Sequence, residues 1–146
     1  MKILLDSNIL LRLSEPGHPH HVLASEAIQS LADQQHLMCV VPQNLYEYWV
    51  VATRPPADNG LGFTVEQAEQ ELAQICSLFS LHRDERTVLE HWRRLVVDHA
   101  VRGRKSHDAR LVAAMQRHGM SHILTFNTSD FAAYPTIVVI EPQPAL

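Results

Sequence analysis

Apolar residues fall along this chain in short runs that alternate with longer amphipathic stretches. The first run, Lys2–Leu5, closes abruptly on Asp6-Ser7-Asn8 and predicts a buried strand followed by a turn. Over 19–33 the apolar positions Val22, Leu23, Ala27 and Leu31 recur at helical spacing. Leu37–Val41 predicts a second strand, and Pro42 suits the first turn of the helix that follows. That helix, 42–53, is apolar nearly all round, and the Pro/Gly-rich stretch 54–62 predicts a loop after it. Thr64 with Gln67 three residues on predicts a capped helix start. Phe79–Leu81 reads as a weak strand, and helices are expected near 85–100 and 106–118, the second ended by Gly119 at a natural C′ position. His122–Thr125 and Ile137–Ile140 supply two further strands.

Short apolar runs alternating with helices predict an α/β fold with a mainly parallel sheet. The 146 residues suit one domain, with no internal repeat, low-complexity tract or linker. With 46% hydrophobic and 19% charged residues the composition is that of a globular protein. No apolar run nears the roughly 18 residues of a membrane span. The N-terminus turns polar after five residues, too early for a signal-peptide core. Cys39 and Cys76 lack metal-ligand spacing and are expected to be reduced core residues, so the expected location is cytoplasmic.

The net charge of −4 argues against a surface that grips nucleic acid everywhere, yet the charge is unevenly spread. Residues 83–118 hold nine of the twelve Lys and Arg but five of the sixteen acids, leaving that stretch at +4 and the remainder at −8. Such asymmetry fits either a face that meets a polyanion or a solvated helical face.

Four carboxylates stand out against apolar neighbours. A buried anion is costly unless it is paired, protonated or bound to a metal. Asp6 ends the first strand, where ligands bind in open α/β sheets, although Asp6 or Ser7 could simply cap a short helix. Glu47 is the only charged residue between Pro42 and Thr53, with Val50 and Val51 one turn on. Asp108 sits in the first turn of a helix, where the dipole favours an anion, in line with the apolar positions Leu111, Val112 and Met115. Asp130 lies in the polar loop Thr125-Phe126-Asn127-Thr128-Ser129-Asp130, which follows a strand and could equally be an Asx-type turn. Oxygen donors without sulfur or nitrogen suit Mg²⁺ or Mn²⁺, and such a centre suits phosphodiester hydrolysis.

At these positions the chain resembles PIN-domain ribonucleases and, within them, VapC-type toxins of toxin–antitoxin pairs. The blocks are Leu4-Leu5-Asp6-Ser7-Asn8, Pro42-Gln43-Asn44-Leu45-Tyr46-Glu47, Thr53-Arg54-Pro55 with Asn59-Gly60-Leu61-Gly62, His107-Asp108-Ala109-Arg110-Leu111, and Leu124 through Phe131. They follow the family's order over nearly the whole chain. The resemblance implies a three-layer α/β/α PIN-like domain over residues 1–146, with a sheet of about five strands. It implies Asp6, Glu47, Asp108 and Asp130 as metal-binding and catalytic carboxylates for Mg²⁺ or Mn²⁺, with Ser7, Asn8 and Asn127 in support. Asn127 fills a place where some relatives carry a further acid. The implied activity is endoribonuclease action leaving 5′-phosphate and 3′-hydroxyl ends, and the implied partners are RNA, a small antitoxin and a second copy of the chain. Arg102, Arg104 and Lys105 precede the Asp108 helix and become candidates for RNA phosphates, with Arg110 a further one on another helix face. Tyr46, Tyr48 and Trp49 could stack bases, but the all-round apolarity of their helix favours core packing.

Rival readings are weaker. The run Pro16-Gly17-His18-Pro19-His20-His21 could bind a transition metal, but no companion Cys or H-x-x-x-H pair supports it. His107 could transfer protons, but a solvent-facing His is the favoured reading. A haloacid-dehalogenase-like phosphatase would need an acid where Asn8 stands. The remaining alternatives are an RNA-processing nuclease without a toxin role and a PIN-like module that binds RNA or protein without cutting.

Overall fold

Strands buried on both faces of a parallel sheet carry near-continuous apolar runs, and three such runs pair here between two more exposed edge strands. A computed structural model describes residues 1–144. The strands are β1 (Lys2–Leu5), β2 (Leu37–Val40), β3 (Ser80–Leu81), β4 (His122–Leu124) and β5 (Val138–Ile140). The helices are α1 (Ser7–Leu13), α2 (His21–Asp33), α3 (Pro42–Thr53), α4 (Val65–Leu78), α5 (Arg86–Asp98) and α6 (Lys105–His118). All strands are parallel in the order β3-β2-β1-β4-β5. The chain therefore starts in the middle, runs outward through β2 to β3, and crosses back to build the other half. The direction reverses between β1 and β4, and beyond the carboxyl ends of strands at such a reversal lies the crevice where open α/β sheets bind ligands.

Alternate residues along each strand face opposite sides, producing two cores. Leu4, Cys39 and Ile123 pack on one face with α5 and α6, through Val88, Leu95, Leu111, Val112 and Met115. Ile3, Leu5, Val40 and Leu124 pack on the other with α1 to α4, through Ile9, Leu10, Tyr48, Ala52 and Ile75. Helices on both faces make the three-layer α/β/α arrangement expected from the sequence.

Local chemistry sets the helix ends. Thr64 and Gln67 form the expected reciprocal cap, each side-chain oxygen accepting the other's backbone N–H at 2.9 and 3.1 Å. Gly119 closes α6 at φ +70°, and a Cβ placed there would meet nothing within 4 Å. Gly119→Ala therefore costs only the left-handed backbone penalty, an expected loss of about 1 kcal/mol in urea unfolding. Gly60 has a different reason: a Cβ there would lie 1.9 Å from the Arg54 carbonyl oxygen.

Two expectations about burial fail. Tyr46 is 61% exposed and Val50 58%, although Tyr48 of the same helix is fully buried. Helix α3 packs against α1 and α4 and leaves its remaining side to solvent, so all-round apolarity does not translate into all-round burial. Cys76 is exposed on α4 whereas Cys39 is buried, both as free thiols. Among the described residues no helix is long and apolar enough to cross a membrane.

Candidate active site

Asp6 follows β1 directly and is the N-cap of α1, so capping and site placement are the same geometry. Its Oδ1 accepts the Ser7 backbone N–H at 2.8 Å, and its Oδ2 accepts the Thr125 hydroxyl at 2.8 Å. It is 6% exposed. Burial raises its pKa to about 6; the bonds from Thr125 and Ser7 oppose the rise, while the charges of Glu47 and Asp130 add to it.

Glu47 comes from the second turn of α3, and half-buried there, it is held at both oxygens. The Ser7 hydroxyl donates to Oε2 at 3.1 Å and the Gln43 side-chain amide donates to Oε1 at 2.8 Å. The same Gln43 amide donates to the carbonyl of His107 at 2.8 Å, tying α3 to the first turn of α6. Asp108, next in that turn, is half-buried on the helix side that carries Leu111 and Val112. Its pKa is also pushed up to about 6, first by burial and then by the charges of Asp130, Asp6 and Glu47. The charges of Glu47 and Asp130 act on both Asp6 and Asp108, so the fold brings residues 6, 47, 108 and 130 to one place.

Asp130 departs from the sequence expectation of apolar surroundings. It lies exposed in a 3₁₀ turn, Thr128–Phe131, whose anchor is the buried Phe131 rather than the acid itself. Asn127 is also exposed, and its backbone N–H donates to the Thr125 hydroxyl at 3.0 Å. That hydroxyl accepts the Asn8 amide at 3.1 Å as well. Asn8 in turn accepts the Phe126 N–H at 3.2 Å. Thr125, a neutral oxygen that the loop sequence already offers, is thus the hub linking the ends of β1 and β4, and Gln43 completes a support that sequence reading did not single out. The polar pair Gln43-Asn44 at the start of an apolar helix was the available clue. Removing the hub hydroxyl in Thr125→Val leaves Asp6 and Asn8 short of partners in a buried site, with an expected stability loss of about 1–3 kcal/mol in chemical denaturation.

The basic residues separate into two groups. Arg102, Arg104 and Lys105 are exposed just before and at the start of α6. Arg110 instead pairs with Asp84 at 3.3 Å and lines a groove between α5 and α6 with Glu85, Leu89 and Trp92. It therefore does not join the cations next to Asp130. His107 is exposed, as its solvent-facing alternative anticipated. His18 and His20 precede α2 and His21 opens it; the His20 ring stacks on Phe126 with centroids 4.7 Å apart.

The donor set suits a hard divalent cation. The four carboxylates form no ion pair with Lys, Arg or His among the described residues, so the buried Asp6 and the half-buried Glu47 and Asp108 lack a paired counter-charge. Among the described residues no three His, Cys, Asp or Glu groups already surround one point at ligating distance. Asp6, Glu47 and Asp108 would hold such a cation by closing inward or through water, as suits Mg²⁺, which keeps several of its waters.

Residues 3–136 match the family profile of the PIN domain. The chain is similar in structure to VapBC2 from Rickettsia felis bound to a DNA fragment from its promoter, with a TM-score of 0.71 at 14% identity, covering 97% of this chain and 98% of that one. It is similar also to a toxin–antitoxin complex from Klebsiella pneumoniae, at 0.67 and 22% identity, covering 98% and 99%. A third similar structure is VapC20 from Mycobacterium tuberculosis, a Sarcin-Ricin loop cleaving toxin, at 0.65 and 18% identity, covering 90% and 95%. No curated protein matches in sequence. A family profile matched over nearly the whole chain, a five-stranded parallel sheet and four acids gathered at its carboxyl edge agree: the chain belongs to the PIN domain family.

Proposed function

We propose that residues 1–146 form one nuclease domain, a divalent-cation-dependent endoribonuclease acting as the toxin of a type II toxin–antitoxin pair. The observation that carries this reading is the meeting of Asp6, Glu47, Asp108 and Asp130 without a cationic partner. Mg²⁺ or Mn²⁺, when bound, supplies charge neutralisation at the phosphate and makes water a better nucleophile near neutral pH. The chain's own residues do the positioning. Ser7 and Thr125 fix the two oxygens of Asp6, and Ser7 and Gln43 fix those of Glu47. Arg102, Arg104 and Lys105 stand where they can hold RNA phosphates beside the acids. Water attacking in line breaks the bond from phosphorus to the 3′-oxygen, leaving a 5′-phosphate on one product and a 3′-hydroxyl on the other.

In this reading the chain works in the cytoplasm as a homodimer, held by a small antitoxin that places a cation of its own in the acidic centre. The test is cleavage of single-stranded and structured RNA by the purified chain with Mg²⁺ or Mn²⁺. Cleavage is expected with either metal and none in EDTA, with ligatable 5′-phosphate ends. Metal-independent cleavage, or none of any RNA with either metal, would falsify the enzyme assignment. An adjacent short reading frame whose product co-purifies and suppresses cleavage separates a toxin from a processing nuclease.

A further inference from the structure

Arg83, Arg86, Arg110 and Arg117 of the basic stretch are in ion pairs; Arg93, Arg94, Arg102, Arg104 and Lys105 form none among the described residues, and of these Arg102 and Lys105 lie beside Asp130. With His99, Ser129, Asp130 and Tyr134 they line a cleft of about 470 Å³ between the α5–α6 loop and the turn after β4. That volume falls within the range of small-ligand sites. The loop folds around the cleft through two left-handed residues, Ala100 at φ +49° and Gly103 at φ +59°. Left-handed backbone at an alanine costs energy that surrounding structure must offset. The exposed His99 ring stands 5.0 Å from the buried Tyr134 ring at 60°, so a backed imidazole lines the cleft together with the two cations. Tyr134 is 5% exposed, and its pKa is raised by burial and by the charge of Asp108, which sets its ring at the edge of the acidic centre. Asp130 belongs to both the cleft and that centre.

We infer that this cleft is a nucleotide subsite, in which Arg102 and Lys105 hold a phosphate neighbouring the scissile one and the exposed His99 ring, backed by the buried Tyr134, takes an unstacked base. It rests on the reading of RNA as substrate and adds where, and in what form, the strand is held. Cations beside an exposed aromatic ring match the phosphate and base of one nucleotide, and every base has a face that stacks. A base can enter only where it has left a helix, so the cleft selects single-stranded RNA or a splayed loop nucleotide. An acidic peptide would use the cations but not the rings.

Fluorescence anisotropy of a labelled mixed-sequence octaribonucleotide, in EDTA and over a range of salt, tests this without cleavage. The Arg102→Ala/Lys105→Ala double variant is expected to bind at least about tenfold more weakly. Its slope of log Kd against log salt should flatten by about 0.7, the counterion release of the one phosphate lost. His99→Ala, on an exposed residue, should weaken binding about fivefold or more with an unchanged slope, because stacking carries no counterion. Arg93→Ala/Arg94→Ala, on the exposed outer side of α5, should change neither. Wild type that fails to bind the octamer, or a control pair that weakens binding as much as the cleft pair, would overturn the subsite. So would full affinity in the cleft variant. Sensitivity to the cations with none to His99 would reduce it to a plain polyanion patch and overturn it as well. Acid-dependent cleavage is read separately, so a failed nuclease assignment and a failed subsite give different patterns.

Discussion

Asp108→Asn is expected to abolish RNA cleavage while making the metal-free protein more stable. Loss of the anion removes a cation ligand and should lower the rate by about a hundredfold or more, since electrostatic stabilisation by a metal centre is worth several kcal/mol. Stability moves the other way because in the metal-free fold this charge is a liability. Burial and three neighbouring acids lift the carboxyl from its ordinary 3.8 to about 6. For a fully desolvated group that would correspond to about 3 kcal/mol, and Asp108 keeps enough solvent contact to reduce it to about 1 kcal/mol. A gain of about 3 °C in melting temperature at pH 8 in EDTA follows. Asp6→Asn should lose activity to the same degree with a smaller gain, because the amide leaves the Thr125 hydroxyl without its acceptor. Unchanged cleavage in both variants would remove these acids from catalysis. Lost cleavage accompanied by lower stability in Asp108→Asn would make the residue structural.

The second large effect is a metal response governed by pH. In the metal-free fold Asp6 and Asp108 bind protons more tightly than in the unfolded chain. Their protonated forms therefore favour folding at low pH, and that contribution is lost as pH rises from about 4 through 6. A divalent cation needs the ionised forms and reverses the sense of the dependence above pH 6. At pH 8, Mn²⁺ at about a hundred times its dissociation constant should add about 2.7 kcal/mol, or about 8 °C. At pH 5 each carboxyl is about tenfold less ionised, so the same Mn²⁺ concentration acts on a site about a hundredfold weaker, and the shift should shrink to about 1 °C. Thermal melts at the two pH values, with and without Mn²⁺, decide the matter. Equal shifts at both would place the cation elsewhere on the protein.

The fold was legible because its elements are punctuated by strong local chemistry. Pro42 opens α3, the Thr64–Gln67 pair opens α4 and Gly119 closes α6, all where expected. Parallel strands in the centre of a sheet read as plain apolar runs, so their existence was visible but their order was not. The isolated charges of Glu47 and Asp108 on apolar helices could be read from periodicity alone. Their supports could not. Gln43 meets a carbonyl 64 residues away and Thr125 a carboxylate 119 residues away, and no local pattern encodes such partners. Tyr46 misled for a related reason: apolarity shows what a face can bury, while the packing of neighbouring helices decides what it does bury. The division between Arg102 and Arg110 likewise depends on Asp84, on a different segment, and was invisible in a count of charges.

The pairing of β1 with β4 joins residues 3–5 to residues 122–124. Asp6 and Thr125, at the ends of those strands, come together only when nearly the whole chain is available to fold. A ribosome making this protein therefore releases most of it before the acidic centre can exist. Residues near 130 must clear the exit before Asp6, Thr125 and Asp108 can meet, and a product truncated before β4 cannot assemble the centre. Sheet order thus acts as a timer on the site.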